Sequence, residues 1–203
     1  MITVYQSYFE WPEGEGSRRR AVEHALGLEL LSRGLKEKYG LELRTEENPE
    51  GEVSISKGPH GKPYLEGYPG IYFNISHCDG LAVCGIGDAE LGIDVEVIRP
   101  YKENLARRVL AEEELEQLAQ CGEEERAERF IRFWTLKESY VKAVGCGMGI
   151  LLREAVFFPE PEGEIRCSVP GYAFVQRKVD ERRILSVCVR RETFGEWEMA
   201  GRI

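Results

Sequence analysis

Between residues 71 and 97 the chain runs through three short apolar-alternating stretches, parted by turns that leave room only for reversal. In Ile71-Tyr72-Phe73-Asn74-Ile75-Ser76, residues 71, 73 and 75 share one face; Leu81 to Ile86 and Leu91 to Val97 follow. Asp79-Gly80 and Gly87-Asp88 supply the turns. Strand side chains alternate faces at every residue, and links this tight predict an antiparallel meander over these runs. Arg99-Pro100 ends it, since proline cannot donate to a ladder.

Helical patterns flank this strand cluster. Ser17 is a candidate N-cap for a long helix reaching Tyr39, with Val22, Ala25, Leu26, Leu30 and Leu31 at helical spacing. A helix is predicted over 103–120, stopped by Gly122, and another from Glu124 to Val144, stopped by Gly145-Cys146-Gly147. Residues 1–11 read as a strand, 45–70 as loop rich in glycine and proline with short extended pieces, and 150–203 as strands with turns. The best of the latter are Phe157-Phe158, Ala173 to Val175 and Ile184 to Val189. In outline the order strand, helix, meander occurs twice.

The 203 residues suffice for one generous domain or two fused halves, and 42% apolar content provides a core. No run approaches the roughly 18 apolar residues a membrane helix needs. The N-terminal Met1-Ile2-Thr3-Val4-Tyr5 lacks a signal-peptide pattern, so a cytoplasmic location is expected. The six cysteines are scattered without a Cys-x-x-Cys pair, which in that compartment predicts free thiols. A net charge of −9 excludes general nucleic-acid binding but not a small polyanion held by a local basic patch. Arg18-Arg19-Arg20 is one such patch; Arg129, Arg132, Lys137 and Lys142 are read as another.

Four segments carry candidate chemistry. In Gly92-Ile93-Asp94-Val95-Glu96 strand alternation puts both carboxylates on one face. Such a pair is either solvated or shares a hard divalent cation. In Trp134-Thr135-Leu136-Lys137-Glu138-Ser139-Tyr140-Val141-Lys142, residues 134, 138 and 142 share a helix face. Glu138 and Lys142 are then a surface ion pair, or a third metal ligand beside a cation for phosphate. Ser76 and His77 end a strand before a turn, where binding residues are common, but neighbours on a strand face apart and do not make a hydrolase pair. Gly61-Lys62-Pro63-Tyr64 is a tight turn with a lysine at its tip, ordinary by itself.

Together, in this order, the four segments resemble the 4′-phosphopantetheinyl transferase superfamily, in particular the larger, monomeric type that activates peptide synthetases such as surfactin synthetase. The resemblance covers about residues 61 to 149. It implies an α+β fold of two similar α/β halves, 1–88 and 89–203, related by pseudo-twofold symmetry with the active site between them. It further implies that Asp94, Glu96 and Glu138 hold Mg2+ (or Mn2+). Lys62, Ser76 and His77 would bind coenzyme A, His77 at the 3′-phosphate. Lys142 would meet the pyrophosphate, and Glu114 aligns with a proposed general base. His24 stands where an arginine is expected for the 3′-phosphate, and Arg18, Arg19, Arg20 or Arg33 can take that role.

The implied reaction moves 4′-phosphopantetheine from coenzyme A to a serine of an apo acyl or peptidyl carrier protein and releases 3′,5′-ADP. Partners outside that pair, nucleic acid and membrane included, are not expected. Two rivals remain at this level: a metal-dependent phosphohydrolase, which needs no protein acceptor, and a non-catalytic binder of coenzyme A or carrier. Arg99, Arg107 and Arg108 mark a basic segment, within 99–126, for an acidic carrier.

Overall fold

The computed structural model describes residues 1–10, 19–146, 151–159, 165–191 and 197–199. Arg18 and the expected N-cap Ser17 fall outside them. The elements are β1 (Ile2–Tyr8), α1 (Arg19–Tyr39), β2 (Ile55–Lys57), β3 (Pro63–Leu65), β4 (Tyr72–Cys78), β5 (Leu81–Gly87) and β6 (Leu91–Val97). After them come α2 (Glu103–Val109), α3 (Glu112–Gln120), α4 (Glu123–Val144), α5 (Leu151–Glu154), β7 (Phe157–Phe158), β8 (Arg166–Cys167), β9 (Tyr172–Asp180), β10 (Arg183–Arg190) and β11 (Trp197–Met199).

Helices and strands segregate into layers, an α+β arrangement. One sheet has the order β11-β1-β5-β4 and another β6-β10-β9. Their central parts repeat one plan: a strand, a helical excursion, then a hairpin whose second strand pairs with the first (β1-β5-β4 and β6-β10-β9). Strand alternation explains how three cores arise. On β5, Ala82, Cys84 and Ile86 face α1, whose Leu30, Leu31 and Leu35 cover them. Leu81 and Val83 face the second sheet and meet Leu91, Ile93 and Val95 of β6 with Leu185, Val187 and Val189 of β10. The far face of the second sheet, with Ile184 and Cys188, lies under Phe133, Leu136 and Val141 of α4. The layering is helix, sheet, sheet, helix, and both sheets share the middle core.

The meander expectation needs correction. β4 and β5 pair as a hairpin, but β6 pairs with β10. The reason is that β6 has two faces to bury. Leu91, Ile93 and Val95 require the apolar side of the first sheet, and Gly92, Asp94 and Glu96 are then turned to α4. Folding over satisfies both; lying beside β5 would not. The single helix predicted over 103–120 is also two helices, because Leu110 and Ala111 are extended and Glu114 accepts the Ala111 N–H at 2.8 Å. The C-terminal β11 pairs in parallel with β1, so the chain's end joins the first sheet.

Gly92 sets how close α4 comes. A Cβ there would lie 2.0 Å from the Ser139 carbonyl oxygen and 2.4 Å from the Ala143 nitrogen. Both are backbone atoms, which cannot rotate away, so Gly92→Ala must push helix and strand apart. We expect a loss of about 3 kcal/mol of stability, at the upper end of ordinary overpacking, read as a lowered urea midpoint.

Candidate functional site

The site forms where β4, β6 and α4 meet. β4 and β6 belong to different sheets, and side chains stitch them. Asn74 Oδ1 accepts the Ile93 N–H at 2.9 Å, and Ser76 Oγ accepts the Val95 N–H at 3.3 Å. Both residues are buried polar groups, satisfied by these bonds. The sequence assigns Asn74 no role; its one signal there is a polar side chain between the apolar Phe73 and Ile75 of a strand.

Asp94 is 5% exposed on the face of β6 turned to α4. Its Oδ1 accepts from Lys142 Nζ at 2.6 Å and from Ser76 Oγ at 3.0 Å. Lys142 Nζ also donates to Ser76 Oγ at 3.1 Å and to the Ile93 carbonyl at 3.2 Å. One turn earlier on α4, Glu138 is buried beside them. Glu96, two residues along β6, is half-buried, with Arg99 Nη2 at 3.5 Å from its Oε2. Burial, then the neighbouring Asp94 carboxylate, raises the proton affinity of both Glu96 and Glu138. The close approach at Gly92 is what places α4 side chains over these strand carboxylates.

Asp94, Glu96, Glu138, Ser76 and Lys142 are thus brought together from segments far apart in the chain. Among the described residues, no three acidic, histidine or cysteine side chains stand together as a group that could hold a metal ion. The fit to a divalent cation rests on other observations. Asp94 Oδ2 and Glu138 Oε1 are buried and have no hydrogen-bond partner. An orphaned buried carboxylate oxygen is costly, and two beside each other are satisfied by a shared hard cation with oxygen preference.

His77 points the other way along β4, toward α1, with Nδ1 3.3 Å from Glu23 Oε2. A cleft of about 350 Å³ joins the two sides, lined by Glu23, His77, Cys78, Asp79, Glu96, Val97 and Arg99. Burial pushes the Cys78 thiol up to about 12, so it lines the cleft as a neutral group. Arg20 is exposed in the first turn of α1, three residues before Glu23, and His24 is exposed beside it. Arg33 is engaged elsewhere, bonding Glu37 at 2.8 Å and lying 5.6 Å over the Tyr5 ring. Ten residues of helix, about 15 Å, part it from Glu23.

Other expected residues sit differently. Lys62 donates to the Ala143 carbonyl at 2.5 Å and caps the C-terminus of α4, where burial depresses its proton affinity. It does not line the cleft. Glu114, expected as a general base, is 0% exposed. Its Oε2 lies 2.8 Å from Lys137 Nζ, itself 0% exposed, and its Oε1 accepts the Phe157 N–H at 2.9 Å. Lys137 further donates to the Leu152 carbonyl and, at 2.5 Å, to that of Ala155. Burial raises the Glu114 and lowers the Lys137 proton affinity, and each charge opposes the other's shift. A carboxylate so enclosed cannot reach a hydroxyl on another protein, so the general-base expectation is corrected to a structural ion pair.

The second expected basic patch also dissolves. Arg129 bonds the Pro159 carbonyl, Arg132 bonds Glu128 and Gln176, and Lys137 is internal. Trp134 packs against Phe130 with ring centroids 6.3 Å apart and belongs to the helical core. No disulfide joins cysteines among the described residues, and Cys78, Cys84 and Cys188 are buried. Among the described residues no helix is long and apolar enough to cross a membrane.

Comparison with known proteins gives this geometry its context. The family model described as the 4′-phosphopantetheinyl transferase superfamily matches residues 90–188. A 4′-phosphopantetheinyl transferase of Bacillus subtilis is 28% identical over 173 residues, covering 83% of this chain and 74% of the relative. The 4′-phosphopantetheinyl transferase Sfp of Bacillus subtilis strain 168 is 25% identical over 151 residues, covering 72% of this chain and 67% of Sfp. Among solved structures, the holo-[acyl-carrier-protein] synthase of Neisseria meningitidis aligns with a TM-score of 0.43 at 18% identity, over 50% of this chain and 97% of that one. The matched span contains β6 and α4, the elements that carry the carboxylates and their lysine, and the likeness supports a 4′-phosphopantetheinyl transferase of the Sfp type.

Proposed function

We propose that this chain transfers the 4′-phosphopantetheine arm of coenzyme A to a serine hydroxyl of an apo acyl or peptidyl carrier protein, leaving 3′,5′-ADP. The observation that carries this reading is the pair of buried, unpartnered oxygens on Asp94 and Glu138, with Lys142 bonded to Asp94 and with Glu96, two residues along β6, lining the cleft. Asp94, Glu96 and Glu138 would hold magnesium or manganese. Bound there, the ion supplies charge neutralisation on the phosphoryl oxygens.

The chain's own residues divide the remaining work. His77 and Arg20, on the α1 side of the cleft, bind the 3′-phosphate; Arg18, just before α1, is assigned to the same group. Ser76 and Lys142 meet the pyrophosphate, and the Lys142 ammonium offsets the charge of the departing 3′,5′-ADP. Glu96, which also lines the cleft, would accept the serine proton with the carboxylate oxygen it does not give to the ion; Glu114 is fully buried. We read Lys62 as acting on the site through α4, whose last turn it caps. The repeated strand order supports a pseudo-twofold relation between 1–88 and 89–203, within a monomer. The carrier docks along α2, where Leu105, Arg107 and Arg108 are exposed.

Intact-mass measurement of a carrier protein incubated with the chain, coenzyme A and magnesium tests the reading. The expected result is a gain of one phosphopantetheine, abolished by EDTA. Breakdown of coenzyme A with no carrier modified would mean a hydrolase. Binding of coenzyme A with neither outcome would mean a non-catalytic module.

A further inference from the structure

Arg183, at the start of β10, touches both walls of the cleft although it does not line it. Its Nε and Nη2 donate to the Asp79 carbonyl at 3.1 and 2.7 Å, and its Nη1 donates to Asp180 Oδ2 at 2.7 Å. The guanidinium lies 5.7 Å over the Tyr8 ring, and the side chain is 13% exposed. Asp79 belongs to the turn between β4 and β5, and His77, Cys78 and Asp79 form one wall. In the second sheet Arg183 is the ladder partner of Val97, and the neighbouring Arg182 carbonyl accepts the Ile98 N–H at 2.7 Å. Glu96, Val97 and Arg99 form the opposite wall.

Among the described residues no ladder joins the two sheets at this end, so the spacing of the walls falls to side chains. Two parallel N–H donors on one carbonyl, with the plane fixed by a carboxylate and an aromatic face, are a rigid arrangement that lysine cannot copy. The turn is shaped to receive it. Gly80 has φ +76°, and a Cβ there would stand 2.8 Å from Arg183 Nη2. Phe9 N–H bonds the Gly80 carbonyl at 3.1 Å and ties the same turn to the end of β1.

We propose that Arg183 is a positioning residue for the phosphate end of coenzyme A: it latches the Asp79-Gly80 turn to β10 and so holds His77 at a fixed distance from the Glu96–Arg99 wall. This rests on the transferase reading above. Arg183 does not touch the substrate; its effect passes through His77.

The test compares wild type, Arg183→Met, Arg183→Lys, His77→Ala and the Arg183→Met/His77→Ala double variant. Each is assayed with coenzyme A and with 3′-dephospho-coenzyme A, and 3′,5′-ADP binding is measured by calorimetry. With coenzyme A, Arg183→Met should raise KM about tenfold at nearly unchanged kcat, as expected for a displaced charge-assisted hydrogen bond. With the dephospho substrate its KM should match wild type. Arg183→Lys, which keeps the charge and the stem over Tyr8, should fall between and serves as the second variant if Arg183→Met does not fold. In the His77→Ala background, Arg183→Met should add nothing. Equal KM increases for both substrates, a fall in kcat alone, or additive effects with His77→Ala would overturn the latch. Failure of wild type to modify any carrier would instead overturn the transferase reading.

Discussion

Asp94→Asn is expected to lower transfer by about a thousandfold while leaving a folded protein that melts no lower than wild type in metal-free buffer. On the proposed role of Asp94, the variant removes one ligand of an ion that would be worth several kcal/mol to the transition state, at about 1.4 kcal/mol per decade of rate. The retained stability follows from the surroundings. Asp94 raises the proton affinity of both Glu96 and Glu138, so a neutral side chain relieves repulsion that the folded state otherwise carries. Asparagine keeps an Oδ1 to accept from Ser76 and Lys142, now without the charge. Active sites often hold such unfavourable groupings, and removing them commonly favours the fold over the chemistry. Turnover, thermal melting and magnesium binding by calorimetry report the three parts separately. Near-normal turnover of the variant with magnesium would sink the metal assignment.

The second large effect concerns the Glu114–Lys137 pair. Glu114→Ala should destabilise the protein by about 3–5 kcal/mol, because it leaves a buried ammonium without its counter-charge. For a domain of this size that is a fall in Tm of roughly 6–20 °C. Activity will fall with the folded fraction at the assay temperature, and the single variant can therefore resemble the loss of a catalytic base. The double variant Glu114→Gln/Lys137→Met separates the two cases. It removes both charges, keeps a carbonyl oxygen for the Phe157 N–H, and should recover much of the stability. The Leu152 and Ala155 carbonyls would still lack their donor, so recovery will be incomplete. If the pair is structural, transfer recovers with the melting temperature. A stable double variant with no transfer would restore Glu114 to the chemistry.

Much of the site was legible because it lies in short segments with strong local rules. Period-two alternation put Asp94 and Glu96 on one face and Ser76 and His77 on opposite faces, and β6 and β4 do so. Helical spacing put Glu138 and Lys142 together, and both face the strand carboxylates. Glu114 was misread for an equally physical reason. Three consecutive glutamates look like the solvated first turn of a helix, and nothing local shows that one of them turns inward to meet a lysine on α4. The patch of Arg129, Arg132 and Lys137 was misplaced in the same way: charge in sequence does not say which carbonyl or carboxylate will be adjacent after folding.

By itself the sequence determined the main strands and the long helices, their faces and the candidate ligands, since these depend on dihedral preferences and on spacings of a few residues. Only the tertiary structure decided which sheet β6 joins, how near α4 comes at Gly92, and that Arg183 reaches the Asp79 turn 104 positions away. Those outcomes depend on burying several faces at once, and that balance is set by the whole packed core rather than by any segment within it.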